Sequence, residues 1–187
     1  MDSNREKTIK LVILGDKFTG KTIFSQFFLN GYENLDGKIY IETVGASYGS
    51  KLIEYNNDIY CIDIWDTGGT EKYTALTGFF VEEANIVFIF YDYFDKQTFE
   101  RAKFWFSYAK ERNEPNIPIF ILVANKYDLC LESKDNDNII PDEEAIEFAE
   151  ANNILFSHLS LKEKYSNGIK ELFDKALKEF FKKEKIS

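Results

Sequence analysis

No apolar run in this chain approaches the length of a membrane span. No block of lysine and arginine supplies the clustered positive charge that nucleic acid or an anionic membrane surface requires. The 187 residues carry 23 Lys and Arg against 32 Asp and Glu, a formal net charge of −9 with a pI near 4.8. That balance excludes nucleic acid as the surface partner, yet leaves room for a small anion served by a few local lysines. Only two cysteines occur, Cys61 in a strand-like run and Cys130 in a loop. Their spacing matches no metal site and no secretory signal is visible, so reduced thiols in an intracellular compartment are expected rather than a disulfide. His158 is the single histidine, and its place near a strand end before Ser160 assigns it to packing rather than to catalysis. No internal repeat is visible, and a chain of this length suits one sizeable core, so residues 1–187 are expected to form a single domain. Hydrophobic content of 44% and charged content of 29% are ordinary for a folded domain; aromatic content of 17%, with 18 Phe and 11 Tyr, is high and carries no evident function.

What the chain does have is a phosphate-binding pattern. Gly15 to Thr22 reads GDKFTGKT, between an apolar run from Ile9 to Leu14 and a run of helical character from Thr22 to Leu29. Strand, loop and helix in that order are the context the P-loop needs. Successive backbone N–H groups of such a loop point inward at a polyphosphate, the helix adds its positive end, and glycines allow close approach. Lys21 would neutralise the terminal phosphates; a lysine at a helix start opposes the helix dipole unless an anion is present. Thr22 would offer its hydroxyl to Mg²⁺, a hard cation that borrows further oxygens from the nucleotide.

Along the chain, Ile23, Phe24, Phe27 and Phe28 recur at helical spacing, and Asn30-Gly31 supplies a left-handed residue to end that helix. Tyr32 to Glu42 has no sustained period and reads as a functional loop. Ser50–Tyr55 and Ile59–Trp65 are strand-like and separated by Asn56-Asn57-Asp58, which tolerate the positive φ of a hairpin turn. Asp66-Thr67-Gly68-Gly69 follows at the end of a buried strand, where open α/β sheets hold ligands; the chain is then polar and weakly helical to Glu83. Ile86–Tyr91 is a second central strand, apolar until Asp92. Phe99, Ala102, Phe106 and Ala109 mark an amphipathic helix with Trp105 beside the stripe. Ile117–Ala124, with Pro118 near its start, delivers Asn125-Lys126-Tyr127-Asp128. Asp135–Asn138 reads as a charged insert, Pro141-Asp142-Glu143-Glu144 opens a helix, and Ile154–Phe156 is a short strand leading to Ser160-Leu161-Lys162. Ile169, Leu172, Phe173, Ala176, Leu177, Phe180 and Phe181 form the last helical stripe. Strands alternating with helices predict a three-layer α/β domain, a six-stranded mostly parallel sheet with one antiparallel hairpin strand and five helices. Right-handed crossovers would bring the motifs at Gly15, Asp66, Asn125 and Ser160 to one rim.

The ordered set GDKFTGKT, Thr43-Val44-Gly45, WDTGGTEKY from Trp65, NKYDL from Asn125 and SLK from Ser160 resembles the Ras-superfamily small GTPases, more closely their Rab branch. Trp65 before the Asp66 motif and the Thr43-Val44-Gly45 triplet look like Rab features. The resemblance covers Ile9 to about Phe181 and implies a P-loop GTPase domain that binds GTP or GDP with Mg²⁺. It implies that Gly15, Asp16, Lys17, Phe18, Thr19, Gly20, Lys21 and Thr22 cradle the phosphates. Asn125 and Asp128 would read guanine, the Asp128 carboxylate accepting from the ring N–H and exocyclic amine that adenine does not present. The stem of Lys126 would cover the base, and the Ser160-Leu161-Lys162 backbone would meet the guanine oxygen, with Leu161 in place of the usual alanine. Thr43 would complete the Mg²⁺ shell with Thr22 when a γ-phosphate is present, Asp66 would act through a water, and Gly69 would donate its N–H to the γ-phosphate. Lys21, Gly69 and Thr70 then stand at the catalytic positions. The loops from Tyr32 to Gly45 and from Gly68 to about Glu82 would be switch segments, meeting effectors, exchange factors and activating proteins together with the strands from Ser50 to Trp65.

Three departures touch the chemistry. Thr70 stands where the family has the glutamine that orients the attacking water, and its side chain is too short for that. Lys17 occupies a usually small position close to where an activating protein's arginine finger would come in, and would either block the finger or partly replace its charge. Phe18 also replaces a small residue, and its ring must point to solvent or cover the nucleotide. The expected function is therefore a Rab-like switch in vesicle traffic that hydrolyses GTP slowly; the alternative is an interaction module held in the GTP state by Thr70. A P-loop kinase of small metabolites would use the same loop but leave NKYDL and Thr43 unexplained. A cytoplasmic protein is expected, peripheral on endomembranes if the native chain carries a prenylated tail, since no C-terminal cysteine is present to take the lipid.

Overall fold

Burial on both faces is what an unbroken apolar strand demands, and the central strands meet it. In the computed structural model, which describes residues 7–31, 43–70, 74–132, 139–162 and 167–185, β1 (Lys7–Gly15) lies in the middle of a six-stranded sheet. Leu11 and Ile13 enter one apolar cluster and Val12 and Leu14 the other, as the two-residue period of a strand requires. The remaining strands are β2 (Ala46–Tyr55), β3 (Asp58–Thr67), β4 (Ile86–Asp92), β5 (Ile119–Asn125) and β6 (Leu155–His158), in the order β2-β3-β1-β4-β5-β6. The β2–β3 pair is antiparallel, with Ala46 opposite Thr67 and Tyr55 opposite Asp58, and every other pairing is parallel. Asn56 and Asn57 turn the hairpin at φ 53° and 66°, the positive values expected of them.

Helices cover both faces. α1 (Lys21–Asn30) and α6 (Asn167–Glu184) pack on one side; α2 (Thr74–Val81), α3 (Lys96–Arg112) and α5 (Asp142–Ala151) supply the other. Gly31 ends α1 at φ 77°, its N–H donating to Phe27 O at 2.9 Å. The aromatic surplus is structural. Phe24 of α1 meets Phe88 and Phe90 of β4 and Phe173 of α6 with ring centroids 5.2 to 5.6 Å apart, and Phe28 stacks on Phe173 at 4.0 Å. Such pairs add about 0.5–1.5 kcal/mol each beyond the area they bury.

Three expectations are corrected in detail. A sixth helix, α4 (Tyr127–Glu132), directly follows Asn125-Lys126; at six residues it is too short for a hydrophobic period to show. The fifth strand begins at Ile119 rather than Ile117. Ile117 N–H is turned back to Pro115 O, and the ladder starts where Ile119 N–H reaches Asn85 O at 2.9 Å. The hairpin strands run further toward the rim than Ser50 and Trp65, because Ala46–Gly49 pairs fully with β3 although its sequence shows no alternation. The expected loop from Tyr32 to Glu42, the insert at Asp135–Asn138 and residues 71–73 of the second switch segment lie outside the described residues.

Candidate functional site at the carboxyl rim of the sheet

Parallel strands end on the same edge, so the residues just past β1, β3, β4, β5 and β6 meet at one rim. The P-loop leaves β1 with Gly15 at φ 142°, where a Cβ would fall 2.3 Å from Phe90 O. It enters α1 through Gly20 at φ 96°. Within it, Thr19 Oγ1 donates to Asp16 O at 2.8 Å and Lys17 N–H donates to Asp16 Oδ1 at 2.7 Å. Lys21 is buried, and its ammonium donates to Asp16 O at 2.7 Å. The cation thus lies inside the loop, where a phosphate would meet it.

Two hydroxyls and a carboxylate converge beside it. Thr22 Oγ1 and Thr43 Oγ1 are 2.7 Å apart, and Thr43 Oγ1 donates to Asp66 Oδ2 at 3.4 Å. Asp66 is 1% exposed, and its Oδ1 is buried with no hydrogen-bond partner. Burial pushes its carboxyl above the ordinary carboxylate range, opposed by the Thr22 hydroxyl, the Lys21 charge and the Thr43 hydroxyl. An orphaned buried carboxylate oxygen beside two hydroxyls is an all-oxygen donor set, suited to Mg²⁺. Among the described residues no group of three or more His, Cys, Asp or Glu offers a softer metal a site. The two switch segments touch here: Gly68 N–H donates to Gly45 O at 2.7 Å. Gly69 lies against the P-loop backbone so closely that a Cβ would sit 2.3 Å from Lys17 N and 2.5 Å from Asp16 C. Thr70 Oγ1 is buried with no hydrogen-bond partner.

The second half of the site lies across α1. Asn125, 2% exposed, donates from Nδ2 to Thr19 O at 2.7 Å, tying the end of β5 to the P-loop, while its Oδ1 is buried and unpartnered. Asp128, 4% exposed, accepts from Ser160 Oγ at 2.7 Å and pairs with the Lys162 ammonium at 2.9 Å. Lys126, at φ 65°, pairs through Nζ with Asp92 Oδ2 at 2.6 Å. A cleft of about 550 Å³ opens between these groups, lined by Phe18, Gly20, Ile23, Asn125, Lys126, Asp128, Leu129, Leu161 and Lys162. The site residues expected from the sequence therefore gather at one rim, in a half expected to meet phosphate (15–22, 43, 66, 69, 70) and a half expected to meet the base (125, 126, 128 and 160–162). Three contributors were not expected. Asp92 holds Lys126, and its signal was present, since it breaks an otherwise apolar strand. Ile23 and Leu129 line the cleft; Leu129 closes the NKYDL run, whereas nothing in the sequence distinguishes Ile23 from the other apolar residues of its helical stripe.

His158 does more than fill space: its Nε2 lies 2.8 Å from Asp142 Oδ1, and Tyr127 stacks on its ring at 4.0 Å. Tyr93 O–H donates to the same Asp142 oxygen at 3.0 Å. None of these four residues lines the cleft.

A P-loop, a buried rim carboxylate and a paired Asn and Asp after β5, on this sheet order, define a nucleotide-binding α/β protein of the P-loop class. The Ras family model matches residues 10–182. Ras-related protein Rab-5A of Dictyostelium discoideum is 32% identical over 173 residues, 92% of this chain and 80% of that protein. Ras-related protein Rab-17 of Mus musculus is 29% identical over 93% of this chain and 76% of its own length, and Ras-related protein Rab11D of Lotus japonicus is 29% identical over 97% and 78%. The chain belongs to the Ras family and is a Rab-like small GTPase.

Proposed function

We propose that residues 1–187 act as one G domain, a guanine-nucleotide switch that binds GTP or GDP with Mg²⁺ and hydrolyses GTP slowly. The observation that carries this is a pair of buried oxygens without a hydrogen-bond partner at one rim, Asp66 Oδ1 and Asn125 Oδ1. The Lys21 ammonium lies inside the loop on the phosphate side, and the Asp128 carboxylate lines the cleft on the base side, where Ser160 and Lys162 hold it. Orphaned buried polar atoms cost about 1–3 kcal/mol each, so their clustering favours a ligand. Thr22, Thr43 and, through a water, Asp66 would hold Mg²⁺, which when bound neutralises charge on the phosphate oxygens. Guanine would replace the Lys162 ammonium on Asp128 with its own N–H donors, leaving the Ser160 hydroxyl bond to hold the carboxylate in place. Gly69, which lies against the P-loop backbone, would sense a γ-phosphate through its N–H.

Output would pass through an exposed apolar surface beside the switch segments. Val44 is 74% and Phe79 73% exposed, and Trp65 lies 4.9 Å from both Tyr48 and Phe80 in an aromatic stack. Aromatic groups left in solvent next to nucleotide-sensing loops suit effector, exchange-factor and activating proteins. Work in vesicle traffic on the cytoplasmic side of endomembranes follows from the Rab likeness; among the described residues no helix is long and apolar enough to cross a membrane.

One observation favours the second reading, a module held in the GTP state: Thr70 Oγ1 is enclosed without a partner and Thr70 has no longer group with which to orient a water. Nucleotide extracted from protein purified with Mg²⁺ and identified by chromatography tests both. GDP is the result expected of a slow GTPase, and GTP that of the hydrolysis-deficient module. An empty site, with no uptake of either nucleotide on incubation, overturns both.

A further inference from the structure

Among the described residues, six other than glycine have positive φ: Phe18, Asn56, Asn57, Glu83, Lys126 and Asn153. Asparagine adopts this region readily, which accounts for three of them. Phe18, at φ 62°, carries a bulky side chain where glycine is the unstrained residue. Its ring is also 57% exposed, so neither backbone preference nor burial in the core explains a phenylalanine there. Backbone strain of this kind persists where the surrounding structure holds it in place, and it clusters at ligand clamps. The ring lines the same cleft as Asn125, Lys126, Asp128 and Leu161, and the Lys17 ammonium lies 5.9 Å from its centroid.

The position of the ring in that cleft is specific. Phosphates belong at the P-loop backbone and Lys21, and the base belongs at Asn125 and Asp128, so the sugar must lie between them. Phe18 belongs to the loop of the phosphate side and lines the same cleft as Lys126 and Asp128 of the base side, so it borders that middle ground. Ile23 and Leu129, 36% and 40% exposed, and Leu161 add further apolar surface around the same space. We infer that Phe18 is a lid carried by the P-loop, closing over the ribose and the sugar-side edge of the base and slowing nucleotide release. The left-handed backbone at Phe18 aims the ring, and the lysine beside it offers its charge to the phosphate side. Release would then require the ring to lift or the base to slide past it, which sets the dissociation rate rather than the recognition of guanine.

This inference rests on the guanine-nucleotide reading of the site, and its test separates the two. The full chain is loaded with tritium-labelled GDP in Mg²⁺, and dissociation is followed after adding excess unlabelled GDP. A ribose-attached fluorophore is avoided because it would occupy the space beneath the ring. Phe18→Gly and Phe18→Ala are expected to release GDP roughly tenfold faster, from loss of a ring's worth of apolar cover, while Phe18→Tyr stays within about twofold of the wild type. Thermal melting without nucleotide gives a second, opposite readout: Phe18→Gly relieves the backbone and should melt no lower than wild type. Wild-type release rates in both the Gly and Ala variants overturn the lid. A wild type that takes up no guanine nucleotide overturns the function and the lid with it.

Discussion

Gly20 and Asn125 are the point at which the two halves of the site are fastened together, and a single methyl group tests it. A Cβ on Gly20 would lie 2.2 Å from Asn125 Nδ2 and 3.2 Å from Leu161 Cδ1. The amide cannot turn away freely, because Asn125 is 2% exposed and Nδ2 is bonded to Thr19 O at 2.7 Å. Gly20→Ala therefore incurs two costs. Holding a residue with a Cβ at φ 96° costs roughly 1–2 kcal/mol, and breaking the buried bond strands the Thr19 carbonyl at about 1–3 kcal/mol. The expected loss is about 2–5 kcal/mol of unfolding free energy, a large part of the roughly 5–15 kcal/mol typical of a domain. Denaturant titrations of wild type, Gly20→Ala, Asn125→Ala and the double variant, all in one nucleotide condition, separate the terms. Asn125→Ala already forfeits the bond, so in its background the new methyl group costs only the backbone strain. The double variant should thus be more stable than the sum of the singles by about 1–3 kcal/mol. Strict additivity would refute the bridge.

Thr70→Gln restores a side chain long enough to orient a water, and single-turnover hydrolysis of bound GTP should rise at least roughly tenfold; an unchanged rate would place the limit elsewhere, with Lys17 the next residue to vary. Asp128→Asn exchanges one acceptor oxygen for a donor, so competition binding should show guanine nucleotides losing to xanthine nucleotides, whose extra carbonyl accepts that donor; retained guanine preference would remove Asp128 from base recognition. Burial, with the Asp142 carboxylate bonded to its hydroxyl, pushes the Tyr93 phenol up from its ordinary value. The folded chain therefore keeps that proton after the unfolded chain has lost it. The resulting stability is present below the unfolded value near 10 and declines as pH rises beyond it. Tyr93→Phe should lower the denaturation midpoint at neutral pH and flatten its fall between about pH 10 and 11.5; a fall as steep as wild type would assign the alkaline loss to other groups.

Much of this was legible because the two strongest signals are local. An apolar run followed by glycines and a lysine needs no tertiary information to be read as strand, loop and phosphate site, and buried parallel strands announce themselves as unbroken hydrophobic runs. The Asn56-Asn57 turn and the Gly31 helix end were legible for the same reason: each depends on φ preferences of the residues themselves. The sequence was silent where pairing or packing decides. Ala46–Gly49 joins the sheet only because β3 lies alongside it, Ile117 is held out of β5 by a local turn, and α4 is too short to show a period. In the site, the roles of Asn125 toward the P-loop and of Asp92 toward Lys126 depend on strands meeting at a rim, 106 and 34 residues away in the chain. Spacing in one sequence does not encode such encounters.

The departures from the family pattern bear on two different rates, and that decides what kind of switch the proposed function describes. The fraction of a switch in its GTP state is set by how fast nucleotide leaves relative to how fast GTP is cleaved. On the proposed function Thr70 would act on cleavage, its short side chain having no group to reach toward an attacking water. Phe18 would act on departure, since an apolar ring over the ribose would have to move before nucleotide escapes. Slowing both would lengthen each state, so the chain on its own would change state seldom. Control then falls to proteins that act on each rate. One would have to lift the Phe18 ring, and the other would have to supply a water-orienting group beside Thr70 while passing Lys17, which is exposed at the P-loop surface against Gly69. An activating protein that worked only by inserting an arginine would meet that lysine's like charge. One that brought its own glutamine or asparagine alongside Thr70 would not, and the Lys17→Ser variant distinguishes them. Stimulation that rises on removing the lysine indicates an inserted cation, and stimulation unchanged by it indicates a donated amide.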